Sequence, residues 1–321
     1  MIHTGQHYSY NLDKIFFEEL KLPKSDYNLE IGQISKTQGE QTGRMIIEIE
    51  KALKKDEKGD VIVQGDTNTV LAGALTAIKL NYPVAHIEAG LRSRDYRMPE
   101  EYNRIITDHC STYLFPPTEK AEKNLIEENV PKEKIHVVGN TIVDATLQNI
   151  EIAESKKEWI EKFPDEYILL TMHRQENVDN KKELTSILEG IRKVKKELDL
   201  PIIYPMHPRT KKRIKEFGLE EQLKELEVID PVGYLEFLLM EKNAKVILTD
   251  SGGVQEESCI LKTPCVTIRK STERQETVEI GSNILAGTNA DDILNATIQM
   301  IEKKKRLEQP IRRRNSKQKN N

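Results

Sequence analysis

Four apolar runs in this chain end on residues able to do chemistry. Asp66 follows DVIVQG, Glu88 closes VAHIE, His173 follows YILLTM, and Asp250 with Ser251 follows KVILT. Carboxylates and an imidazole are the usual carriers of acid–base catalysis. MPEEYNR adds Glu100 and Arg104, four residues apart and on one face of any helix there. Arg174 and Glu176 come from TMHRQEN, Glu273, Arg274 and Glu276 from STERQET, and His207-Pro208-Arg209 follows a further apolar run. Each has a plain structural alternative. Asp66 before Thr-Asn-Thr can cap a helix from Thr69. Glu100 and Arg104 can form a surface ion pair, which is worth little.

TDSGGVQEES, residues 249–258, is the sharpest local signal. An apolar run passes into Ser251-Gly252-Gly253 and then into helical sequence. Glycines let a ligand approach the backbone, and free N–H groups at a helix start favour an anion. A plain turn remains the other reading. Glu257 lies further along that helix, where a carboxylate can accept from both hydroxyls of a ribose. There is no GxxxxGK[ST] and no GxGxxG, so neither a nucleoside-triphosphatase loop nor a nicotinamide fingerprint is present. No group of His, Cys and Asp has metal-ligand spacing: His3 and His7 lack a third partner.

Such residues need a scaffold that brings strand ends together. Strand candidates are Asp60–Gln64, Val84–Glu88, Thr112–Phe115 and Ile135–Val138, then Tyr167–Met172, Ile202–Met206, Val228–Asp230, Lys245–Thr249 and Cys265–Ile268. They are continuous apolar runs, as in parallel sheets buried on both faces. Helical periodicity fills the gaps. Gln38–Lys55 sets Met45, Ile46, Ile49, Ala52 and Leu53 on one face, and Asn180–Leu198 and Asn289–Lys304 behave alike. The alternation predicts an α/β protein with right-handed crossovers and ligands at strand carboxyl ends. The charged stretch EIAESKKEWIEKFP, 151–164, marks the boundary between a first domain at 1–160 and a second at 161–303.

The chain has 321 residues and a net charge of −4, which argues against a polyanion-coating protein. Residues 303–321 hold nine Lys and Arg against one Glu, so 304–321 reads as a basic, disordered tail, solvated rather than in contact with nucleic acid, the alternative that its charge offers. No run is apolar for long enough to cross a bilayer, and MIHTGQHYSY lacks the form of a signal peptide. Cys110, Cys259 and Cys265 are too few for a disulfide framework. A cytoplasmic protein with no nucleic-acid or membrane partner is expected.

HTGQH (3–7), QGDTNTVLAG (64–73), HIEAGLRS (86–93), MPEEYNRIITD (98–108), VVGNTIVD (137–144), TMHRQEN (171–177), MHPR (206–209), TDSGGVQEES (249–258) and ERQETVE (273–279) occur in this order. Together they resemble the non-hydrolysing UDP-N-acetylglucosamine 2-epimerases. The resemblance implies two Rossmann-like domains of the glycosyltransferase-B type, with the active site in the interdomain cleft, and usually a homodimer. It implies reversible conversion of UDP-GlcNAc to UDP-ManNAc by elimination and re-addition of UDP. By motif match Asp66, Glu88 and Glu100 are the catalytic carboxylates. His173 and the Ser251-Gly252-Gly253 helix start hold the diphosphate, with Arg174 beside them. Arg104 lies near the diphosphate or orients Glu100. Phe237 meets the uracil, Glu257 the ribose, and Arg274 the phosphate or sugar. No metal or other cofactor is implied, since no net oxidation occurs.

Two departures stand out. The resembled family opens with a strand and a GTRPE-type loop, whereas this sequence starts at Met1-Ile2-His3, within the family's second strand. The family closes on an NPYGDG-type motif, where QPIRRRNSKQKNN stands here. The first departure predicts either a gap in the first sheet or a sheet closed up with a changed strand order, with poor solubility or partial melting. A hydrolysing epimerase, a glycosyltransferase that needs an acceptor, and an inactive remnant are the competing readings.

Overall fold

The computed structural model describes residues 1–6, 14–156, 159 and 162–302. His7 and the basic tail of 304–321 lie outside them. Contacts divide the chain into two units, one running from Met1 to Thr141 and the other starting at Ile142. That division falls at the start of helix Thr141–Glu154. The charged segment read as a boundary follows later.

The first unit holds β1 (Ile2–His3), β2 (Tyr27–Asn28), β3 (Val61–Gln64), β4 (Val84–Ile87) and β5 (Tyr113–Phe115), with helices α1 (Gln38–Leu53), α2 (Asn68–Lys79) and α3 (Pro99–Cys110). All its strand pairs are parallel, in two separate sheets: β1 with β2, and β3–β4–β5. Helix α1 starts at Thr37, whose side chain accepts from Glu40 N, and buries Met45, Ile49, Ala52 and Leu53, the stripe that its sequence period predicts. Ile135–Val138 contributes one bridge, Leu114 to Ile135, rather than a strand.

A groove of about 510 Å³ runs between β1 and β3, lined by Ile2 and Thr4 on one side and Asp60–Gln64 on the other. β3 departs from the expectation of burial on both faces. It alternates, and Ile62 is 68% exposed at mid-strand. Among the described residues β3 pairs only with β4, and its other edge borders the groove, where no neighbouring strand's side chains flank it. The strand ends are tied all the same: Thr4 Oγ1 and Thr69 Oγ1 lie 2.7 Å apart, and Gln6 Oε1 accepts from Thr69 N at 3.2 Å.

Among the described residues, the second unit has one six-stranded parallel sheet. Its strands are β6 (Ile168–Thr171), β7 (Ile202–Pro205), β8 (Glu227–Ile229), β9 (Val246–Thr249), β10 (Cys265–Thr267) and β11 (Asn283–Leu285). The order β11-β10-β9-β6-β7-β8 is that of a doubly wound Rossmann sheet. β7, β9 and β10 are buried throughout. Ile168, Leu170, Leu248 and Val266 form the centre of the core. β2, only 2 residues long, and β11 were not among the strand candidates. Among the described residues, no helix is long and apolar enough to cross a membrane.

Candidate functional site

In the second unit, β6 and β9 are neighbours where the strand order reverses, which is where doubly wound sheets bind ligands. His173 leaves β6 there, and Asp250 and Ser251 leave β9. Asp250 is fully buried and fastens the two loops together. Its carboxylate accepts from His173 N at 3.0 and 3.1 Å, Arg174 N at 2.9 Å and Asn177 Nδ2 at 3.1 Å. Asp250 is therefore a scaffold acid, and the imidazole of His173 and the Ser251 hydroxyl are the groups it positions. Burial holds His173 below the ordinary histidine range, against the pull of Asp250, so the ring favours its neutral form near neutral pH.

Helix α4 (Gly252–Leu261) starts beside them. Its N-cap, Ser251, makes no side-chain cap bond, and Ser251 N donates to Thr249 Oγ1 at 2.9 Å. A Cβ at Gly252 would stand 2.4 Å from Glu273 Oε1, so any side chain there would make that carboxylate shift. The glycine thus admits STERQET to the helix start. Around it, Arg269 Nη1 lies 3.1 Å from Glu273, Arg174 Nη2 3.8 Å from Glu273, and Arg274 Nε 3.0 Å from Glu256. Arg209, in contrast, goes to Asp179 at 2.5 Å. A helix start with nearby arginines suits an anion.

Glu257 is buried further along the same helix, and burial raises it to about 7, opposed by the Tyr234 hydroxyl. Glu241 is fully buried, with neither carboxyl oxygen hydrogen-bonded. Burial and then Glu257 push it well above the carboxylate range. Phe237 is half-buried against the cluster of Tyr167, Leu169 and Ile203.

The first unit carries the carboxylates. Asp66 is not a helix cap, because Thr67 takes that place and accepts from Val70 N. Asp66 Oδ2 instead accepts from Arg104 Nη2 at 2.5 Å, and Asn103 Nδ2 donates to the Asp66 carbonyl at 2.9 Å. Arg104 is 2% exposed, so the surface-pair reading fails, and its other arm reaches Glu101 at 2.7 Å. The sequence reading paired Arg104 with Glu100. The helix places Glu100 half-buried one position earlier and turns Glu101 inward.

Glu88 has φ 68, a left-handed backbone that costs a non-glycine residue energy and that clusters at functional sites. Gln64 Nε2 donates to its carboxylate at 2.9 Å. The loop after it rests on a buried network. His86 Nδ1 meets Asp108 Oδ1 at 2.7 Å and His86 Nε2 meets the Gly65 carbonyl at 2.9 Å, so both ring nitrogens face acceptors. Arg92 joins Asp108 at 2.7 Å and Glu128 at 2.6 Å. Burial would raise Asp108, but His86 and Arg92 hold it below the usual carboxylate range. Gly90 at φ 78 brings this loop against Ala121, whose carbonyl would lie 2.3 Å from a Cβ.

A family model described as UDP-N-acetylglucosamine 2-epimerase matches residues 1–318. The chain belongs to the UDP-N-acetylglucosamine 2-epimerase family. The enzyme of that name from Methanocaldococcus jannaschii is 59% identical over 320 residues, covering 97% of this chain and 87% of the relative. A crystal structure of the M. jannaschii protein in complex with UDP-GlcNAc and UDP matches with a TM-score of 0.93 at 59% identity, covering 96% of this chain and 86% of that one. The UDP-2,3-diacetamido-2,3-dideoxy-D-glucuronate 2-epimerase of Pseudomonas aeruginosa is 45% identical over 298 residues, 92% of this chain and 82% of that protein.

Within this family member, sequence reasoning missed Glu101, Glu241 and the linking roles of Asp108 and Glu273. Glu101 had a usable signal, since it stands three residues before Arg104 on a helix. Glu241 had none, because a glutamate among apolar helical residues reads as a solvated position.

Proposed function

We propose that this chain interconverts UDP-GlcNAc and UDP-ManNAc by inverting C2 of the sugar. The identity of 59% to the M. jannaschii enzyme, over nearly the whole chain, carries the reading. In the second unit, the Ser251-Gly252-Gly253 helix start, His173, Arg174 and Arg274 take the diphosphate. Glu257 accepts from the ribose hydroxyls and Phe237 meets the uracil.

In the first unit, Asp66, Glu88 and Glu100 are the acid–base carboxylates, with Arg104 beside Asp66. One carboxylate removes the C2 proton as the C1–O bond to UDP breaks, and the electron pair becomes the C1–C2 double bond of a glucal-type intermediate. A second carboxylate returns a proton to the opposite face of C2 while UDP adds back at C1. Donors around the diphosphate stabilise the leaving group. The exchange is redox-neutral, so the route requires no nicotinamide. A cytoplasmic homodimer completes the proposal.

The test is incubation with UDP-GlcNAc in D2O, with products separated by chromatography. UDP-ManNAc carrying deuterium at C2 is the expected product. Free ManNAc with UDP would instead mean a hydrolysing enzyme, and turnover only with an added acceptor would mean a glycosyltransferase. A parallel arm offers UDP-2,3-diacetamido-2,3-dideoxy-D-glucuronate, and conversion of that sugar alone would overturn the substrate assignment.

A further inference from the structure

The two neighbouring glutamates of MPEEYNR have separate surroundings. Glu101 is fully buried, and both of its carboxylate oxygens are occupied. Oε1 accepts from Arg94 N at 2.8 Å, and Oε2 from Ser93 N and Ser93 Oγ, each at 3.0 Å, and from Arg104 Nη1 at 2.7 Å. With four donors converging on it and no exposed surface, this carboxylate serves as a fixed acceptor inside the protein. It is built to hold something still.

What it holds is Arg104, whose second arm reaches Asp66 at 2.5 Å. The guanidinium is a rigid planar fork, so fixing one nitrogen fixes the direction of the other. The fork is 2% exposed, and water is not at hand to replace a lost partner. Asn103, next to Arg104, pins the Asp66 carbonyl from the same helix. The Asp66 carboxylate is thereby aimed from one side by a part whose other end is anchored in the Ser93–Arg94 loop.

We propose that Glu101 is a positioning residue for Asp66, acting through the Arg104 guanidinium. This rests on the assignment of Asp66 as one of the reacting carboxylates. Glu101→Gln keeps the shape but offers an amide N–H₂ where an acceptor is needed. Arg104 is then released at one end and the Asp66 carboxylate loses its fixed direction. Ångström-scale misplacement of a reacting group can cost about 100-fold in rate, so a kcat loss of about 10- to 100-fold with KM little changed is expected.

The experiment is a double-mutant cycle on epimerase turnover with Glu101→Gln, Asp66→Asn and the pair, together with Glu101→Asp. If Glu101 works through Asp66, its substitution adds little further loss once Asp66 is Asn. Glu101→Asp, which keeps the charge, recovers part of kcat. Losses that multiply in the double variant, or a Glu101→Gln enzyme with normal kcat, would overturn the proposal. An Asp66→Asn enzyme with normal turnover would instead remove the assignment of Asp66 itself, which the single variant reads independently. Should Glu101→Gln fail to fold, Arg104→Lys takes its place in the cycle, since it keeps the charge and loses the fork; additive losses there would equally refute the coupling.

Discussion

The two units use the same parts, parallel strands and amphipathic helices, yet their sheets differ. The second has one sheet with strands paired from β11 to β8, and its β9 is buried along its length. The first has β1–β2 apart from β3–β4–β5, and the apolar Ile62 in β3 is 68% exposed beside the groove. VILT of β9 and VIVQ of β3 look alike as sequence. What separates them is whether a neighbouring strand stands on each side. An apolar run therefore gives the propensity to be a strand, and the neighbours decide its burial.

The functional side of that contrast carries the largest expected effect. Asp66→Asn, Glu88→Gln and Glu100→Gln in the first unit should each reduce turnover by about 10²- to 10⁴-fold, the usual scale of acid–base catalysis. UDP affinity should change far less, since the nucleotide is assigned to the second unit. Steady-state kinetics beside calorimetry separates the two, and near-normal turnover in all three variants would dissolve the division of labour.

The structural side follows. Leu248→Ala in the continuous sheet should cost about 2–5 kcal/mol, the usual loss for a fully buried leucine. Ile62→Ala in the parted sheet should stay within about 0.5 kcal/mol, as exposed substitutions do. Denaturant titration of both variants tests this, and an equal cost would mean that β3 is covered in solution.

A smaller effect belongs to the nucleotide site. On the proposed assignment, Ser251→Ala and His173→Ala would each remove one contact to the diphosphate, worth about 1.5–3 kcal/mol. The Kd for UDP should then rise about 10-fold or more. Unchanged affinity in both would place the nucleotide elsewhere.

The smallest effect is a pH dependence confined to the second unit. Glu241 and Glu257 keep protons in the folded state that the unfolded chain releases near its ordinary glutamate value. Their contribution to stability is complete below the ordinary glutamate value and is lost as pH rises through their folded values, about 7 for Glu257 and raised well above the ordinary value for Glu241. Glu241→Gln should therefore gain in Tm relative to the parent as pH goes from about 5.5 to 8.5. His173 has the opposite sign, since its lowered value favours the folded state above the ordinary histidine range. Parallel melting curves for parent and variant at both pH values would exclude Glu241 as a source of the slope.

Much of this was legible in the sequence. The strands leading to Asp66, Glu88, His173 and Ser251 fall where the sequence placed them, because continuous apolar runs bounded by polar residues mark strands, although β3 is open on one face. Thr67 rather than Asp66 caps its helix, a distinction of one residue that local preference does not make. Ile135–Val138 has strand composition but only one bridge to Leu114.

Elements, their order and the family were thus determined by the sequence itself, since periodicity and motif are written in stretches of a few residues. Tertiary structure decided which partner each charged group takes. Asp66 meets Arg104 from 38 residues away, and Asp250 meets His173 N from 77. It also decided that Glu101 rather than Glu100 turns inward, and that one face of β3 lies open. Each of these outcomes depends on groups brought from distant parts of the chain, where water is excluded and only matched donors and acceptors avoid the cost of burial.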